Sequence, residues 1–430
     1  MLKGMFERAG VLACAGVVIL LGSDESFAQT QNWTLTSTVQ RVLQQAPEKR
    51  VVEAEVKVRE GARRQADVWP NPTVELGASN SLGKEDGKGG TDLTQLSIRQ
   101  PLPLGGRLGA QRKRADASLR QSQAQLQQQA LMLEYEAARV FHRLQLNNAL
   151  LKLSQQRLET ANEFQRIGRR REQAGDLSRL ERLRLDVVRA SANQLIASAE
   201  GEFSESLSDF QTLLNTAEAS PELTALDKPP ALLALAELES GLDAHPALTA
   251  ARQGVEAAGY AVATARANRF ADPEVWLAHE REFLGDRRQD VLAFGVAVTL
   301  PLWDRGKGNI DMAQASKLKA QFEVDALQRQ LGNRLRLNHL HLAHLIAQSR
   351  DYRVKVLAPA DEIFQLTRKG FAAGQVGILN LVDAVDIYFN ARARYLELLQ
   401  EAWLEAADLR RAAGLSMLAS QSSNFKGTEQ

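Results

Sequence analysis

The chain has 430 residues, with 53 Lys and Arg against 52 Asp and Glu, so no bulk charge draws it to nucleic acid. It is 44% apolar but only 6% aromatic, and Ala, Leu, Gln, Arg and Glu predominate, as in long helices and coiled coils. The single cysteine, Cys14, excludes a disulfide framework within the chain, and its expected removal with the leading segment excludes a Cys-based metal site.

Residues 1–28 read as a signal peptide. Lys3 and Arg8 form a basic end, Gly10 to Gly22 an apolar core too short to span a bilayer, and Ser26-Phe27-Ala28 a cleavage site. Cleavage there removes Cys14. Lipidation of Cys14 would instead leave most of the apolar core downstream of the cut, and is disfavoured.

A first repeat is expected over residues 29–214. Thr38 to Asp67 reads as a helix, stopped by Trp69-Pro70-Asn71-Pro72. From Thr73 the period becomes two, and a β-hairpin over 73–102 follows, with the charged glycine-rich loop 83–90 at its tip. A long helix over 109–167 would extend about 90 Å. Its Leu119, Leu126, Leu133 and Val140 recur every seventh residue, as coiled-coil packing requires. Gly175 breaks it, and Ser178 caps a return helix over 178–214 with Leu180, Leu183, Val187, Ala190 and Ala197 in heptad positions. A linker or equatorial segment, 215–242, contains Pro221, Pro229 and Pro230.

The pattern then recurs over 243–414. After a helix from His245 to Ala267, Phe270-Ala271-Asp272-Pro273-Glu274-Val275 echoes Trp69-Pro70-Asn71-Pro72-Thr73-Val74. A hairpin over 274–300 has a polar tip at 284–289. Leu300-Pro301-Leu302 and Arg305 echo Leu102-Pro103-Leu104 and Arg107, and Gly374 echoes Gly175. A long helix over 310–370 and a return helix over 378–414 complete the repeat, and a Ser- and Gln-rich tail, 415–430, is expected to be disordered.

In the last strand Leu292, Phe294, Val296 and Val298 fall on one face and the small Ala293, Gly295, Ala297 and Thr299 on the other. Short strands of this kind, apolar on one side, fit a transmembrane β-barrel with the large set toward lipid; a soluble hairpin with one buried face is the alternative. Four strands cannot close a barrel, and open edges are not tolerated in hydrocarbon. Two copies would supply eight strands and three copies twelve, and the small inward set favours the wider, open barrel. The expected class is therefore mixed: mostly long α-helices in an α-barrel or coiled coil, with four transmembrane strands per protomer contributing to a trimeric twelve-stranded barrel.

The duplication, the N-P-x-V and D-P-x-V strand starts, the P-L-G-G-R and L-P-L-W-D-R-G-K-G-N junctions and the glycine-containing helix turns together resemble the TolC-like outer-membrane efflux protein family. The junctions are most similar to its cobalt–zinc–cadmium resistance branch. The resemblance implies a homotrimer in the outer membrane with a periplasmic helical tunnel, docked on a periplasmic adaptor and an inner-membrane RND-type pump. It also implies passive export, here of divalent heavy-metal cations, with the same channel on a drug pump or type I secretion system as the alternative. A secreted coiled-coil scaffold or adhesin is the alternative from another class. By the resemblance, Asp383 and Asn380 mark the channel constriction, where Asn380 departs from the family's carboxylate.

Arg166, Arg169, Arg170, Arg171, Arg179 and Arg182 cluster at the first turn, a candidate adaptor-docking end together with Gly175 and Gly374. Arg107 and Arg305 are candidate anchors at the membrane boundary. His341 and His344 share a helix face beside His339, but two imidazoles make a poor metal site on their own. No nucleotide loop, nucleophile elbow, catalytic carboxylate pair or zinc spacing is present, so no enzyme activity and no cofactor are expected.

Overall fold

A computed structural model describes residues 32–79, 93–216, 222–284 and 287–418. The signal segment and the 83–90 loop lie outside them. The elements in chain order are β1 (Asn32–Trp33), α1 (Leu35–Gln45), α2 (Pro47–Gln65), β2 (Thr73–Ser79), β3 (Leu93–Pro101), α3 (Arg107–Gln173) and α4 (Arg179–Leu214). Then come β4 (Glu222–Leu223), α5 (Leu235–Gly241), α6 (Pro246–Ala267), β5 (Glu274–Leu284), β6 (Arg287–Ala297), α7 (Lys307–Tyr352), α8 (Ala358–Ala372) and α9 (Ile378–Ala412).

The first expected helix is two. Thr34 caps α1, its hydroxyl accepting from the Ser37 N–H at 3.2 Å. Pro47 then occupies the first position of α2, where its missing N–H is harmless, and Ala46 before it is extended at φ −56°, ψ 120°. The helix α3 has 67 residues, about 100 Å, and outruns the expected 109–167 at both ends.

The second long helix is interrupted by a π-turn over Arg353–Leu357, between α7 and α8. Pro359 explains it: with no N–H to donate, it cannot continue the α ladder, and a wider turn absorbs the loss. Arg305 and Gly374 lie one residue further apart than their counterparts Arg107 and Gly175. The π-turn houses that extra residue.

The four long strands form one antiparallel sheet in the order β2-β3-β5-β6, so both outer edges, β2 and β6, are unpaired within the chain. The second hairpin is tighter than expected. Leu284 pairs with Arg287, so most of the supposed polar tip is ladder, and β6 ends at Ala297 rather than Leu300.

The buried cores lie along the helices. One, around the middle of the tube, joins Trp33, Val42, Leu133, Phe141, Phe210 and Met417. A second near the turns joins Phe164, Leu185, Phe364, Phe371, Tyr388 and Phe389. The equatorial segment is structured: β4 pairs parallel with β1, and Leu238 of α5 packs on Leu335, Leu342 and Leu409. The start of the expected tail is also ordered. Ser416 donates from its hydroxyl to the buried Glu134 carboxylate at 2.9 Å, and Met417 is 8% exposed.

Candidate functional site

The sheet has two unlike faces. Cross-strand partners share a face, so the register places Val74 opposite Ile98, Leu76 opposite Leu96, Ile98 opposite Leu277, and Leu277 opposite Phe294. Leu292, Phe294 and Val296 complete that face, exposed at 68%, 83% and 65%. Val298 lies just past the strand and is also exposed. No described helix covers these side chains. Beyond them toward the tips the same face turns polar, where Arg281 donates to Asp290 at 2.7 Å. A continuous uncovered apolar face marks a surface that meets a membrane or another protein.

The opposite face is polar or small. Arg99 pairs with Glu75 at 3.2 Å, and Gln95 donates to Glu280 at 2.9 Å. Among the described residues of these four strands, only Ser97 and Ala278 are buried. This face is less bare than the run Ala293, Gly295, Ala297 suggests. The Trp276 indole lies over Gly295, where an added Cβ would meet its ring at 2.6 Å. The glycine is small to seat a tryptophan, a relation that appears only once β5 and β6 are in register.

At the sheet-to-helix junction Arg107 pairs with Asp272, joining the first repeat to the strand start of the second. The charge expected to face the membrane boundary is thus engaged within the chain. Arg305 is exposed and makes no ion pair among the described residues.

At the far end the two helix turns lie side by side. Gly175 and Gly374 have φ of 84° and 77°, the left-handed region that closes each helix, and Asp176 N–H returns to the Arg171 carbonyl at 2.8 Å. Ser178 and Glu181 form a reciprocal cap on α4, and the Ser178 bonds hold the Glu181 carboxyl below its usual range. Arg171 is not free for a partner: it donates to the Phe371 carbonyl at 3.3 Å and lies 5.3 Å from the Phe371 ring, tying turn to turn. Arg182 is likewise engaged, with Glu172 at 2.9 Å and with Asp186. Arg166, Arg169, Arg170 and Arg179 remain exposed and make no ion pair among the described residues.

Asn380 and Asp383 sit one turn apart on α9 and are exposed. Asp383 lines a groove of about 550 Å³ between the starts of α4 and α9, with Leu180, Leu183, Val187, Leu379 and Val382. The heptad seam expected on α4 is therefore open: Leu180, Leu183 and Val187 are exposed, and α4 buries Leu185, Ala192, Ala199 and Ser206 instead. Nearby, Asp386 pairs with Arg157 of α3, a tie between repeats that the one-dimensional pattern did not reveal.

Of the histidines, His341 Nδ1 lies 3.0 Å from Glu405, His339 Nε2 3.0 Å from the Leu233 carbonyl, and His344 is exposed. No group of three or more potential His, Cys, Asp or Glu ligands that could hold a metal occurs among the described residues.

No described helix is long and apolar enough to cross a membrane. Among the described residues, the sheet presents an apolar face fit for lipid. An exposed apolar sheet set on long, packed helices fits a subunit of a β-barrel channel. The chain belongs to the outer membrane efflux protein family, which it matches over residues 38–216 and 238–415, one stretch for each repeat. It is 26% identical over 359 residues to the cobalt-zinc-cadmium resistance protein CzcC of Cupriavidus metallidurans, covering 83% of this chain and 84% of that protein. It is 24% identical over 327 residues to the nickel-cobalt-cadmium resistance protein NccC of Alcaligenes xylosoxydans xylosoxydans, covering 73% and 71%. Its fold is similar to that of the outer membrane protein VceC of Vibrio cholerae, with a TM-score of 0.72 at 20% identity over 89% and 96% of the two chains. The protein is an outer-membrane efflux channel subunit whose helices form a periplasmic tunnel. The family comprises passive channels and not enzymes.

Proposed function

We propose that this chain is the exit duct of a tripartite heavy-metal efflux system, working as a homotrimer with a periplasmic adaptor and an inner-membrane RND-type pump. The observation that carries the duct is the sheet: an apolar face with no cover and two open edges, which lipid does not tolerate singly. Three copies would supply twelve strands. The metal cargo is supported by the two resistance proteins to which the chain is similar along most of its length.

In this reading the lipid-facing strand is that of Leu292, Phe294, Val296 and Val298, and Asp383 contributes three carboxylates to a ring at the periplasmic end. Such a ring favours cations over anions and its self-repulsion favours opening. Asn380, one turn earlier, leaves the ring with half the charge that two carboxylates would bring. The four exposed arginines and the turns at Gly175 and Gly374 form the adaptor-facing end, with Arg171 as the brace behind it.

The experiment is a deletion strain complemented by native protein or by Asp383→Asn. Loss of tolerance to cobalt, zinc and cadmium, restored by the native gene and less well by Asp383→Asn, is expected. Normal metal tolerance with new drug sensitivity or failed protein secretion would reject the cargo.

A further inference from the structure

Directly beneath the sheet, a groove of about 680 Å³ runs between the end of α2 and the start of α3. Arg59, Arg107 and Arg114 line it together with Trp69, Gln111 and Ser118, and no Asp or Glu does. Two of the arginines are neutralised by carboxylates that lie outside the lining. Arg59 Nε donates to Glu55 at 2.7 Å, and Arg107 pairs with Asp272. Arg114 is exposed and makes no ion pair among the described residues. The fold does not demand this charge. Counting from the matched pairs Trp69 with Phe270 and Arg107 with Arg305, the second repeat has Tyr260 where the first has Arg59, and Met312 where it has Arg114.

In a closed assembly the groove lies on the inner wall, by two separate alternations. Along α3, Gln111 and Ser118 begin a seven-residue series continued by Gln125, Met132 and Arg139, and these last three are exposed. The other side of the same helix, at Ala137, Phe141 and Leu144, is covered by α1 and Trp33. An open bore has no room for α1 and β1, so the covered side is the outside and the bare series faces in. In the chain flanking the sheet, Asn71 and Pro103 also line the groove. Each stands two residues from a strand residue, Thr73 or Pro101, on the face opposite Val74 and Ile98.

We propose that this groove binds small organic anions in the bore: an aromatic carboxylate or sulfonate whose acid group meets the guanidiniums and whose ring lies on Trp69. This rests on the reading of the chain as a duct, since only there does the groove face a bore. The class of ligand follows from chemistry and size. Guanidiniums hold acid oxygens by paired, charge-assisted hydrogen bonds, and no carboxylate in the lining repels the anion. The Trp69 indole, 57% exposed, offers a flat apolar surface beside them. The volume falls within the roughly 300–1,000 Å³ of small-molecule sites, far more than an inorganic anion fills. The duct then carries fixed charge of opposite sign at its two ends, this groove beneath the sheet and Asp383 near the helix turns.

The test is channel block. The native protein is inserted into planar bilayers and titrated with naphthalenesulfonate, with sodium sulfate as the inorganic comparison. Reversible block by the sulfonate alone is expected. Arg114→Gln should raise the half-blocking concentration about tenfold, as for the loss of one charged hydrogen bond, and Trp69→Ala should raise it too. Arg305→Gln, at the matching junction of the second repeat, should leave the block unchanged. As a readout without the sulfonate, Arg114→Glu is expected to shift the reversal potential in a potassium chloride gradient toward that of potassium. Block that persists when Arg59→Gln and Arg114→Gln are combined, equal block by sulfate, or conducting native channels that the sulfonate does not block overturns the site and leaves the duct standing. Protein that inserts but opens no channel overturns the duct, and the site with it.

Discussion

His142 sits in the middle of the tube, buried between Phe141 and the Trp403 indole, 5.5 Å away and nearly parallel. Its Nδ1 lies 2.8 Å from Gln145 Oε1, and Gln145 Nε2 donates to Thr224. The amide orientation makes Nδ1–H the donor, and Nε2 has no partner, so the ring is held neutral. Burial lowers its pKa to about 4, against the hydrogen bond to Gln145 that acts the other way. The folded pKa is thus below the unfolded value of 6.5, and the unfolded chain binds the proton first. Stability is unaffected by this group above about pH 6.5 and falls as pH drops toward 4, by roughly 3 kcal/mol. Burial pushes His245 the same way. Thermal melts of detergent-solubilised protein should show that loss, and His142→Asn, which keeps a donor toward Gln145 without titrating, should flatten the curve. An unchanged pH profile in the variant would contradict the assignment. None of this was legible in the sequence, where His142 is one polar residue in a heptad run. By contrast Gly175 and Gly374 were legible, because a glycine between two strongly periodic helical runs marks a chain reversal.

At the scale of elements, periodicity located the helices and strands but not where each seam faces. Leu180, Leu183 and Val187 have proper heptad spacing, yet the single chain buries the Leu185, Ala192 and Ala199 row instead. Both rows are apolar, and spacing alone does not say which meets a partner in the same chain. Periodicity also hides the prolines: Pro47 splits the first helix, and Pro359 forces the π-turn, because a missing N–H matters even inside a strong helical pattern. The open row on α4 makes a direct prediction. If the proposed homotrimer covers this row, Val187→Glu would place a carboxylate in a buried surface, costing ~2 kcal/mol or more at each contact. Circular dichroism should show unchanged helix content while the oligomer dissociates under milder conditions. If Val187 is an ordinary solvated position, the variant will match the native protein.

The whole molecule is a duplicated half whose copies meet across one flank and leave the matching flank open. The duplication and the four strands were readable in order along the chain, and the proposed need for partners follows from the open sheet edges, since lipid admits none. The unequal burial of equivalent elements was not, because it depends on which repeat lies beside which. Trp276 over Gly295 and Arg171 under the turns belong to the same class of facts, set by register and proximity between distant segments. On the proposed reading the apolar sheet is one third of a membrane wall. Native mass spectrometry of the protein released from outer membranes in mild detergent tests it most directly. A single species of three chains is expected; a stable single chain, or a two-chain species, would contradict the trimeric duct.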